Sequence, residues 1–248
     1  MRNTIILGDC LKVMQQIDSR SIDLIIADLP YGITQNEWDE PLDLPELWSE
    51  YERIIKDNGA IILTAAQPFT SKLVMSNPLL FKYEIIWQKN KSTGFLNAKK
   101  MPLRAHESIL VFYKKLPTYN PQKTKGHKPV NSYTKHTSDG TNYRETKTGI
   151  TGGGQTDRYP TTVLQIPVVN NDSREKIHPT QKPVELLEYL IKTFSNPGDL
   201  VLDNCAGSGS TGEAAKRTGR DYILIEKEFA YVEAARRRLE KVTLTSAI

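Results

Sequence analysis

The stretch DLVLDNCAGSGSTG, residues 199–212, joins an apolar run to an aspartate and three glycines. The apolar run is typical of a buried β-strand, and the segment TGEAAKR that follows is typical of a helix. Glycines between a strand and a helix let the backbone come close to a nucleotide-like ligand. The stretch therefore predicts an α/β fold with a ligand site at this strand end.

The glycine turn allows more than one ligand. Gly207, Gly209 and Gly212 satisfy G-x-G-x-x-G, and Glu226 ends the next strand, where a carboxylate can accept both ribose hydroxyls. NAD and S-adenosylmethionine (SAM) both contain an adenosine ribose, and a plain structural turn is a third interpretation. Asp203 lies just before the glycines, where its charge would repel a pyrophosphate but tolerate a sulfonium and an ammonium group. These residues favour SAM.

Strand-like and helix-like segments alternate along most of the chain. This alternation predicts a doubly wound, mostly parallel sheet with helices on both faces. The chain ends with strand, glycine turn, helix, strand and helix, and it begins at once with another strand. Joined tail to head, these parts form one uninterrupted sheet, so we predict a circularly permuted Rossmann-like α/β fold. The strand-like runs begin at Asn3, Ile22, Gly59, Tyr83, Ser108, Asp199 and Asp221.

Positive charge is concentrated in the middle of the chain. The 248 residues have a net charge of +4, and 38% of them are hydrophobic. Residues 89–147 contain eleven Lys and two Arg against three acidic residues, which is 13 − 3 = +10 and leaves −6 for the rest. Tyrosines lie between these cations. This mixture favours phosphate neutralisation and base stacking, although a solvated basic surface is the simpler alternative.

The alternating pattern fails between Leu116 and about Arg174. This stretch is rich in Gly, Thr, Asn, Lys and Tyr, and it has no sustained period. We interpret it as an insertion that gains order on binding a partner. The predicted domains are residues 1–115, an inserted region at 116–174, and residues 175–248.

The chain gives no sign of export or of a disulfide framework. No apolar run approaches the length of about 20 residues that a membrane span needs, and no signal peptide opens the chain. Cys10 and Cys205 are too few for a disulfide framework, and no Cys/His cluster with zinc spacing accompanies them. We expect a cytoplasmic, nucleoid-associated protein without a metal.

Three motifs resemble those of one enzyme family. DLPY at residues 28–31 resembles D-P-P-Y, HPTQKP at 178–183 resembles H-P-t-q-K-P, and LVLDNCAGSGSTG at 200–212 resembles V-L-D-P-F-x-G-S-G-T-T-G. These are motifs of the amino-group DNA methyltransferases, and their order here is that of the β group. The resemblance implies a SAM-dependent DNA methyltransferase, with the insertion as the target-recognition region. It favours adenine N6, because Asp is the usual first residue of the motif in adenine enzymes.

The same resemblance assigns a role to each residue of DLPY. Asp28 and the backbone carbonyl of Leu29 would accept the two N–H groups of the target amine and so concentrate its lone pair. Pro30 would stiffen the turn. Tyr31 is expected to be exposed, as a stacking platform for a base flipped out of the duplex. A bare turn is the alternative.

The cofactor residues are expected on both sides of the permutation. Asp9 could accept from the adenine amino group of SAM, or it could be the N-cap of the helix that follows. The HPTQKP residues are expected to shape the methionine end of the pocket. Cys205 replaces the phenylalanine that packs beside the ligand in the family. The full predicted set is Asp9, His178, Gln181, Lys182, Asp203, Cys205, Ala206, Gly207, Ser208, Gly209, Thr211 and Glu226.

Double-stranded DNA is the expected partner, and a homodimer is possible. Alternatives remain: an N4-cytosine enzyme, RNA or a protein amide as acceptor, an NAD-linked oxidoreductase, and an inactive nucleic-acid-binding protein. His106 and Glu107 are expected to orient loops and to take no part in the chemistry. The expected DNA-binding residues are Lys99, Lys100, Arg104, Lys123, Lys125, Lys128, Lys135, Arg144 and Arg158.

Overall fold

The computed structural model describes residues 1–32, 42–134, 149–169 and 181–242. No helix within these ranges is long and apolar enough to cross a membrane. The strands are β1 (Thr4–Leu7), β2 (Ile22–Asp28), β3 (Ile55–Ala65), β4 (Phe81–Thr93), β5 (Arg104–Phe112), β6 (Tyr133–Thr134), β7 (Thr151–Gly152), β8 (Val163–Gln165), β9 (Leu200–Asp203) and β10 (Asp221–Glu226). The helices are α1 (Cys10–Met14), α2 (Leu44–Ile54), α3 (Phe69–Ser76), α4 (Val184–Phe194), α5 (Ser210–Arg217) and α6 (Phe229–Glu240).

One sheet organises most of the chain. Its strand order is β1-β10-β9-β2-β3-β5-β4-β8. Among the strands that the structure describes in this sheet, only β5 runs against the others, since it pairs antiparallel with both β3 and β4. The first strand pairs in parallel with the last, with Leu7 opposite Glu226. The predicted tail-to-head closure of a mostly parallel sheet is therefore confirmed.

Helices cover both faces of this sheet, because the central strands are apolar on both sides. In β2, Ile25 belongs to the core that packs under α1, α2 and α3. Its neighbours Leu24 and Ile26 belong to the core under α4 and α5. The alternation follows from the two-residue repeat of a strand. Consecutive residues of β2 thus pack against the helices on opposite faces of the sheet.

Caps and buried polar contacts fix where α2 begins and how it packs. The Asp43 carboxylate accepts a hydrogen bond from the backbone N–H of Glu46 at 2.9 Å, which satisfies one of the free donors in the first turn. The indole N–H of Trp48 donates to Ser76 at the end of α3 at 2.7 Å. This hydrogen bond joins the two helices.

The inserted region forms a compact unit of its own. The chain divides into a main unit, Met1–Asn120 with Thr162–Ile248, and a smaller one, Pro121–Thr161. Within Pro121–Thr161, β6 pairs antiparallel with β7, and Thr124 and Arg158 form an isolated bridge. These bounds differ from the expected 116–174, because residues 162–166 return to the main sheet through β8, which pairs with β4. A three-residue strand is too short for its periodicity to be recognised.

A comparison of two glycines tests the packing around the turn after β9. Gly209 has φ +77°, and an added Cβ would lie 2.7 Å from the Ala235 Cβ, whereas Gly219 has φ +73° and open space around it. Gly219→Ala should cost about 1–2 kcal/mol for backbone strain alone. Gly209→Ala should cost about 1–3 kcal/mol more, because the methyl group also overpacks the contact with α6. Urea unfolding measures both values, and equal losses would contradict the predicted close packing.

Candidate active site

The carboxyl ends of the central parallel strands bring three acidic residues to one edge of the sheet. β9 lies between β10 and β2, with Ile25 of β2 opposite Leu202 of β9. Asp28, Asp203 and Glu226 are the last residues of β2, β9 and β10. The connections from β9 and β2 lead to helices on opposite faces of the sheet. Such a topological switch point opens a crevice for ligands in doubly wound folds.

Asp28 is held by three donors. Its Oδ1 accepts hydrogen bonds from Thr64 Oγ1 at 2.5 Å and from Tyr31 Oη at 2.6 Å. Its Oδ2 accepts from Lys182 Nζ at 2.5 Å. A carboxylate offers about four acceptor directions. Among the described residues, three are used, and one direction at Oδ2 is left for a ligand.

Tyr31 is not the exposed platform that the sequence predicts. The ring is half-buried and stacks on Phe69 of α3, with ring centroids 5.1 Å apart and an interplanar angle of 23°. Burial, followed by the charge of Asp28, raises the pKa of the phenol well above its ordinary value. The expectation of exposure is wrong because the hydroxyl binds Asp28 and the ring finds an aromatic partner. Leu29 is buried in the core, and Pro30, which lies between Leu29 and Tyr31 in the sequence, is half-buried.

Lys182 is the centre of a buried chain of charges. It contacts Asp28 Oδ2 and also lies 3.3 Å from Glu107 Oε2. The other oxygen of Glu107 binds Lys89 of β4. Burial alone would lower the pKa of Lys182, but the charges of Asp28 and Glu107, together with Tyr31, outweigh it and raise that pKa. The site therefore contains a fully charged ammonium group beside the Asp28 carboxylate.

Glu226 retains acceptor capacity at the edge of the glycine turn. Its Oε2 accepts the backbone N–H of Gly207 at 2.8 Å, and its Oε1 accepts that of Glu228 at 2.9 Å. Each oxygen has a second lone pair. Two vicinal ribose hydroxyls could donate to these lone pairs, so the residue fits the adenosine part of SAM.

Asp203 is buried at the base of the same turn. It accepts a hydrogen bond from the Cys205 N–H at 3.0 Å and another from the Thr211 hydroxyl at 2.5 Å. Burial raises the pKa of Asp203 to about 7, and the charges of Asp28 and Glu226 add to this against the two hydrogen bonds. A positively charged ligand would stabilise the ionised form. The donor set at this strand end therefore fits a cationic cofactor such as SAM.

Gln181 joins the segment before α4 to the glycine turn. Its side-chain oxygen accepts from Ser208 at 3.1 Å and from Arg238 of α6 at 2.9 Å. Arg238 also donates to Ser210 at the start of α5 at 2.7 Å. Gln181 thus contacts the cofactor side of the site, whereas the adjacent Lys182 contacts Asp28.

The remaining predicted cofactor residues lie around the same strand ends. Asp9 is exposed and caps α1, since its carboxylate accepts a hydrogen bond from the Lys12 N–H at 3.2 Å. This agrees with the interpretation of Asp9 as a helix N-cap. The Ala206 N–H donates to the Ile225 carbonyl at 3.0 Å. The Cys205 thiol donates a hydrogen bond to Cys10, and this lowers the pKa of Cys10. The contact joins the first and last parts of the chain beneath the turn. Four further members of the set belong to the turn and the start of α5: Gly207, Ser208, Gly209 and Thr211.

The predicted DNA-binding residues fall into two groups. Lys99, Lys100 and Arg104 are exposed on the hairpin between β4 and β5, which rises from the carboxyl-end edge of the sheet. Lys125 and Lys128 are exposed in the compact unit 121–161. Three further predicted site residues lie outside the described residues: Lys135, Arg144 and His178.

Two cations of the compact unit 121–161 have internal partners. Lys123 pairs with Asp157 at 2.9 Å and lies 4.3 Å from the centre of the Tyr159 ring. The Arg158 guanidinium donates to the backbone carbonyls of Gln155 and Asp157 and, at 2.5 Å, of Lys128. Arg158 therefore stabilises this unit from within, a use that its spacing does not predict.

Sequence reasoning missed part of the environment of Asp28. Thr64 is the polar residue near the end of the apolar run of β3. This position is the only feature of the sequence that could have identified Thr64 as a site residue. Phe69 begins a helix and carries no sequence sign of its contact with Tyr31. Glu107 precedes an apolar strand and was expected only to orient loops. Their common feature is proximity to the carboxyl end of β2, which depends on strand order.

Comparison with known proteins agrees with this geometry. A family model described as DNA methylase matches residues 22–237. The DNA adenine methyltransferase YhdJ of Escherichia coli (strain K12) is 32% identical over 98% of this chain and 85% of its own length. The Type II methyltransferase M.HinfI of Haemophilus influenzae is 30% identical over 97% of this chain and 69% of its own length.

Solved structures share the fold. The crystal structure of the M1.HpyAVI–SAM complex has a TM-score of 0.64 and 25% identity, and the match covers 95% of this chain and 98% of that one. The cytosine-N4-specific PvuII DNA methyltransferase has a TM-score of 0.68 at 18% identity, over 100% of this chain and 88% of that one. The permuted methyltransferase fold expected from the sequence is confirmed.

The raised pKa of Asp203 predicts a pH-dependent stability. Its folded pKa of about 7 lies above the ordinary value of 3.8, so its contribution to stability is full below pH 4 and is lost as the pH rises through 7. Asp203→Asn cannot ionise, and it should therefore gain stability relative to the wild type between pH 5 and pH 8. Urea unfolding of the protein without SAM, at pH 5 and at pH 8, measures this gain.

Asp221→Asn is the control of opposite sign. Hydrogen bonds from Asn3 and Arg2 lower the pKa of Asp221, so its stabilising effect is present above the ordinary value and is lost only on acidification. This variant should lose stability equally at pH 5 and pH 8. If the effect of Asp203→Asn on stability were also equal at pH 5 and pH 8, it would contradict the raised pKa of Asp203.

Proposed function

The chain belongs to the N6/N4 DNA methylase family, and we propose that it transfers a methyl group from SAM to N6 of adenine in double-stranded DNA. It is a SAM-dependent DNA methyltransferase. The observation that carries the adenine proposal is the Asp28 carboxylate, which Lys182 holds at the end of β2, one strand away from the carboxyl end of β9. A relative that is 32% identical is named a DNA adenine methyltransferase, and this supports the choice of base.

The cofactor site lies on the β9 and β10 side of the switch point. When bound, SAM supplies an electrophilic methyl group on a sulfonium. We assign the ribose hydroxyls to Glu226 and the cationic part of the cofactor to the neighbourhood of Asp203. Gln181 holds the glycine turn from the other side through Ser208. The positive charge of the ligand would draw Asp203 into its ionised form.

Asp28 and the Leu29 carbonyl act on the target amine. An exocyclic amine is a poor nucleophile because its lone pair is delocalised into the ring. Two acceptors on its N–H bonds would localise that lone pair for in-line attack on the methyl carbon. The N–C bond forms as the C–S bond breaks, and one N–H proton then leaves the methylated amine for solvent. The carbonyl of Leu29 can serve as well as that of a proline, because it belongs to the main chain.

The target base has to leave the duplex for this reaction, because its amine is paired inside the helix. We propose that Tyr31 meets the flipped base. The phenol donates to Asp28, and one ring face is covered by Phe69. The hydroxyl would give up its bond to Asp28 when the amine donates there, while Phe69 continues to support the ring as a stacking surface.

DNA contacts are proposed for two regions. The first is the β4–β5 hairpin, where residues 91–104 are all exposed and residues 88–106 contain five Lys or Arg and no Asp or Glu. Phe95 and Leu96 at its tip are 80% and 97% exposed. The second is the compact unit 121–161, the proposed target-recognition region. A homodimer and a cytoplasmic, nucleoid-associated location complete the proposal.

The base assignment is tested by product analysis. Duplex DNA is incubated with the protein and methyl-labelled SAM and then digested to nucleosides, and we expect the label in N6-methyl-2′-deoxyadenosine. Asp28→Asn should lower kcat about a hundredfold or more, because the amide cannot replace the charged acceptor. SAM affinity, measured by calorimetry, should stay within about threefold, since Asp28 faces the amine. Label in N4-methylcytosine would overturn the choice of base.

The hairpin is tested by the salt dependence of DNA binding. Each phosphate-binding cation that is removed should flatten the slope of log affinity against log salt by about 0.9. Lys99→Ala/Lys100→Ala should therefore reduce the slope by about 1.8, whereas Phe95→Ala/Leu96→Ala should lower affinity at an unchanged slope. Lys114→Ala/Lys115→Ala, at the opposite end of β5, is the matched control and should change neither. Equal effects of the two lysine pairs would remove the hairpin from the DNA surface.

A further inference from the structure

Lys182 is oriented away from the role that its motif suggests. The resemblance places the HPTQKP segment at the methionine end of the cofactor, yet the Lys182 ammonium lies 2.5 Å from Asp28 Oδ2. Only 9% of its side chain is exposed. A buried lysine is retained as a cation only where carboxylates compensate for its lost hydration. Here those carboxylates are Asp28 and Glu107.

Glu107 and Lys89 continue the chain of charges into the β4–β5 hairpin. Lys182 lies 3.3 Å from Glu107 Oε2, and the other oxygen of Glu107 binds Lys89. The Lys89 ammonium also lies 5.1 Å from the centre of the Trp87 ring. Trp87 is anchored by a 2.8 Å hydrogen bond from its indole N–H to the Ile166 carbonyl. The charges alternate in sign, so Lys182 and Glu107 each lie between two opposite charges.

This arrangement fixes the orientation of the Asp28 carboxylate. Thr64 and Tyr31 occupy Oδ1, and Lys182 occupies one direction of Oδ2. In the proposed reaction Tyr31 gives up its bond to Asp28 when a base enters, which leaves Thr64 and Lys182 as the two fixed contacts. Thr64 is a neutral donor on a neighbouring strand. Lys182 is therefore the charged contact that holds the Asp28 carboxylate in place.

We propose that Lys182 is a positioning residue for Asp28, supported by Glu107 and Lys89, and not a cofactor-binding residue. The inference rests on the proposed role of Asp28 as acceptor for the target amine. The proposal gives two adjacent residues different roles. Gln181 binds Ser208 of the glycine turn, and Lys182 binds the catalytic carboxylate. One short segment thus sets the distance between the cofactor side and the amine side of the site.

The decisive experiment separates kcat from SAM affinity. Lys182→Met should lower kcat about a hundredfold at saturating SAM and DNA, the loss expected when a reacting group is misplaced by about 1 Å. The dissociation constant of SAM, measured by calorimetry, should change less than about threefold. A normal kcat with SAM affinity weakened tenfold or more would make Lys182 a cofactor contact and overturn the proposal.

Two further variants keep the test valid if Lys182→Met fails to fold. Lys182→Met removes the ammonium that Asp28 and Glu107 share and leaves one excess negative charge, and Glu107→Gln/Lys182→Met restores the charge balance. The double variant should fold and still have the low kcat, because Asp28 has no ammonium partner. Lys182→Arg keeps the charge, and its kcat should fall about tenfold at unchanged SAM affinity, because a planar guanidinium cannot reproduce the contact. A double variant with wild-type kcat would show that only charge balance matters and would overturn the proposal.

Lys56→Met is the matched control. Lys56 pairs with Asp23 at 2.6 Å at the other end of β2 and β3, away from the carboxyl-end edge. Its kcat and SAM affinity should equal those of the wild type. Methylation by the wild type and its loss in Asp28→Asn test the underlying function separately. A failed Lys182 prediction with these two results intact would reject only the positioning role.

Discussion

The parallel pairing of the two ends of the chain is the constraint on which the site depends. β1 pairs with β10, and β9 pairs with both β10 and β2, so strands from the first and last parts of the sequence become neighbours. Parallel strands end at the same edge, and the side chains that follow them meet there. Asp28 and Asp203, which are 175 positions apart in the sequence (203 − 28), thereby come to adjacent strand ends. Without this pairing neither the cofactor side nor the amine side of the site would be complete.

The edge concentrates negative charge, and the protein compensates only part of it. Asp28 and Glu107 share Lys182, whereas Asp203 has a hydroxyl and a backbone N–H but no cation among the described residues. Burial raises the pKa of Asp203 to about 7, and the charges of Asp28 and Glu226 add to this rise. Such uncompensated charge costs stability in the free protein, and it prepares the site for a positively charged ligand. The compensating lysine therefore lies at Asp28, the proposed acceptor for the target amine, and the uncompensated charge lies at Asp203, on the proposed cofactor side.

The hydroxyl groups around Asp28 occupy directions that a substrate can use. Tyr31 and Thr64 both donate to Oδ1. A donor O–H satisfies the carboxylate in the same way as the N–H of an amine. In the proposed reaction, exchange of the phenol for an amine would therefore cost little hydrogen-bond energy. The stack on Phe69 holds the Tyr31 ring beside the carboxylate.

The sequence by itself determined the helices and all strands of the main sheet except β8, together with the permuted order and the family, because periodicity and motifs are local properties of the chain. The three-residue β8 is too short to show a period. It also identified Asp28, Asp203 and Glu226, since each ends an apolar run. Only the tertiary structure decided that β5 is antiparallel, that Tyr31 is covered by Phe69, and that Arg158 stabilises its own unit. It likewise decided that Lys182 contacts Asp28, a residue 154 positions away. The physical reason is that side-chain partners follow from strand order and from the compensation of buried charge, and neither is encoded in the neighbouring residues.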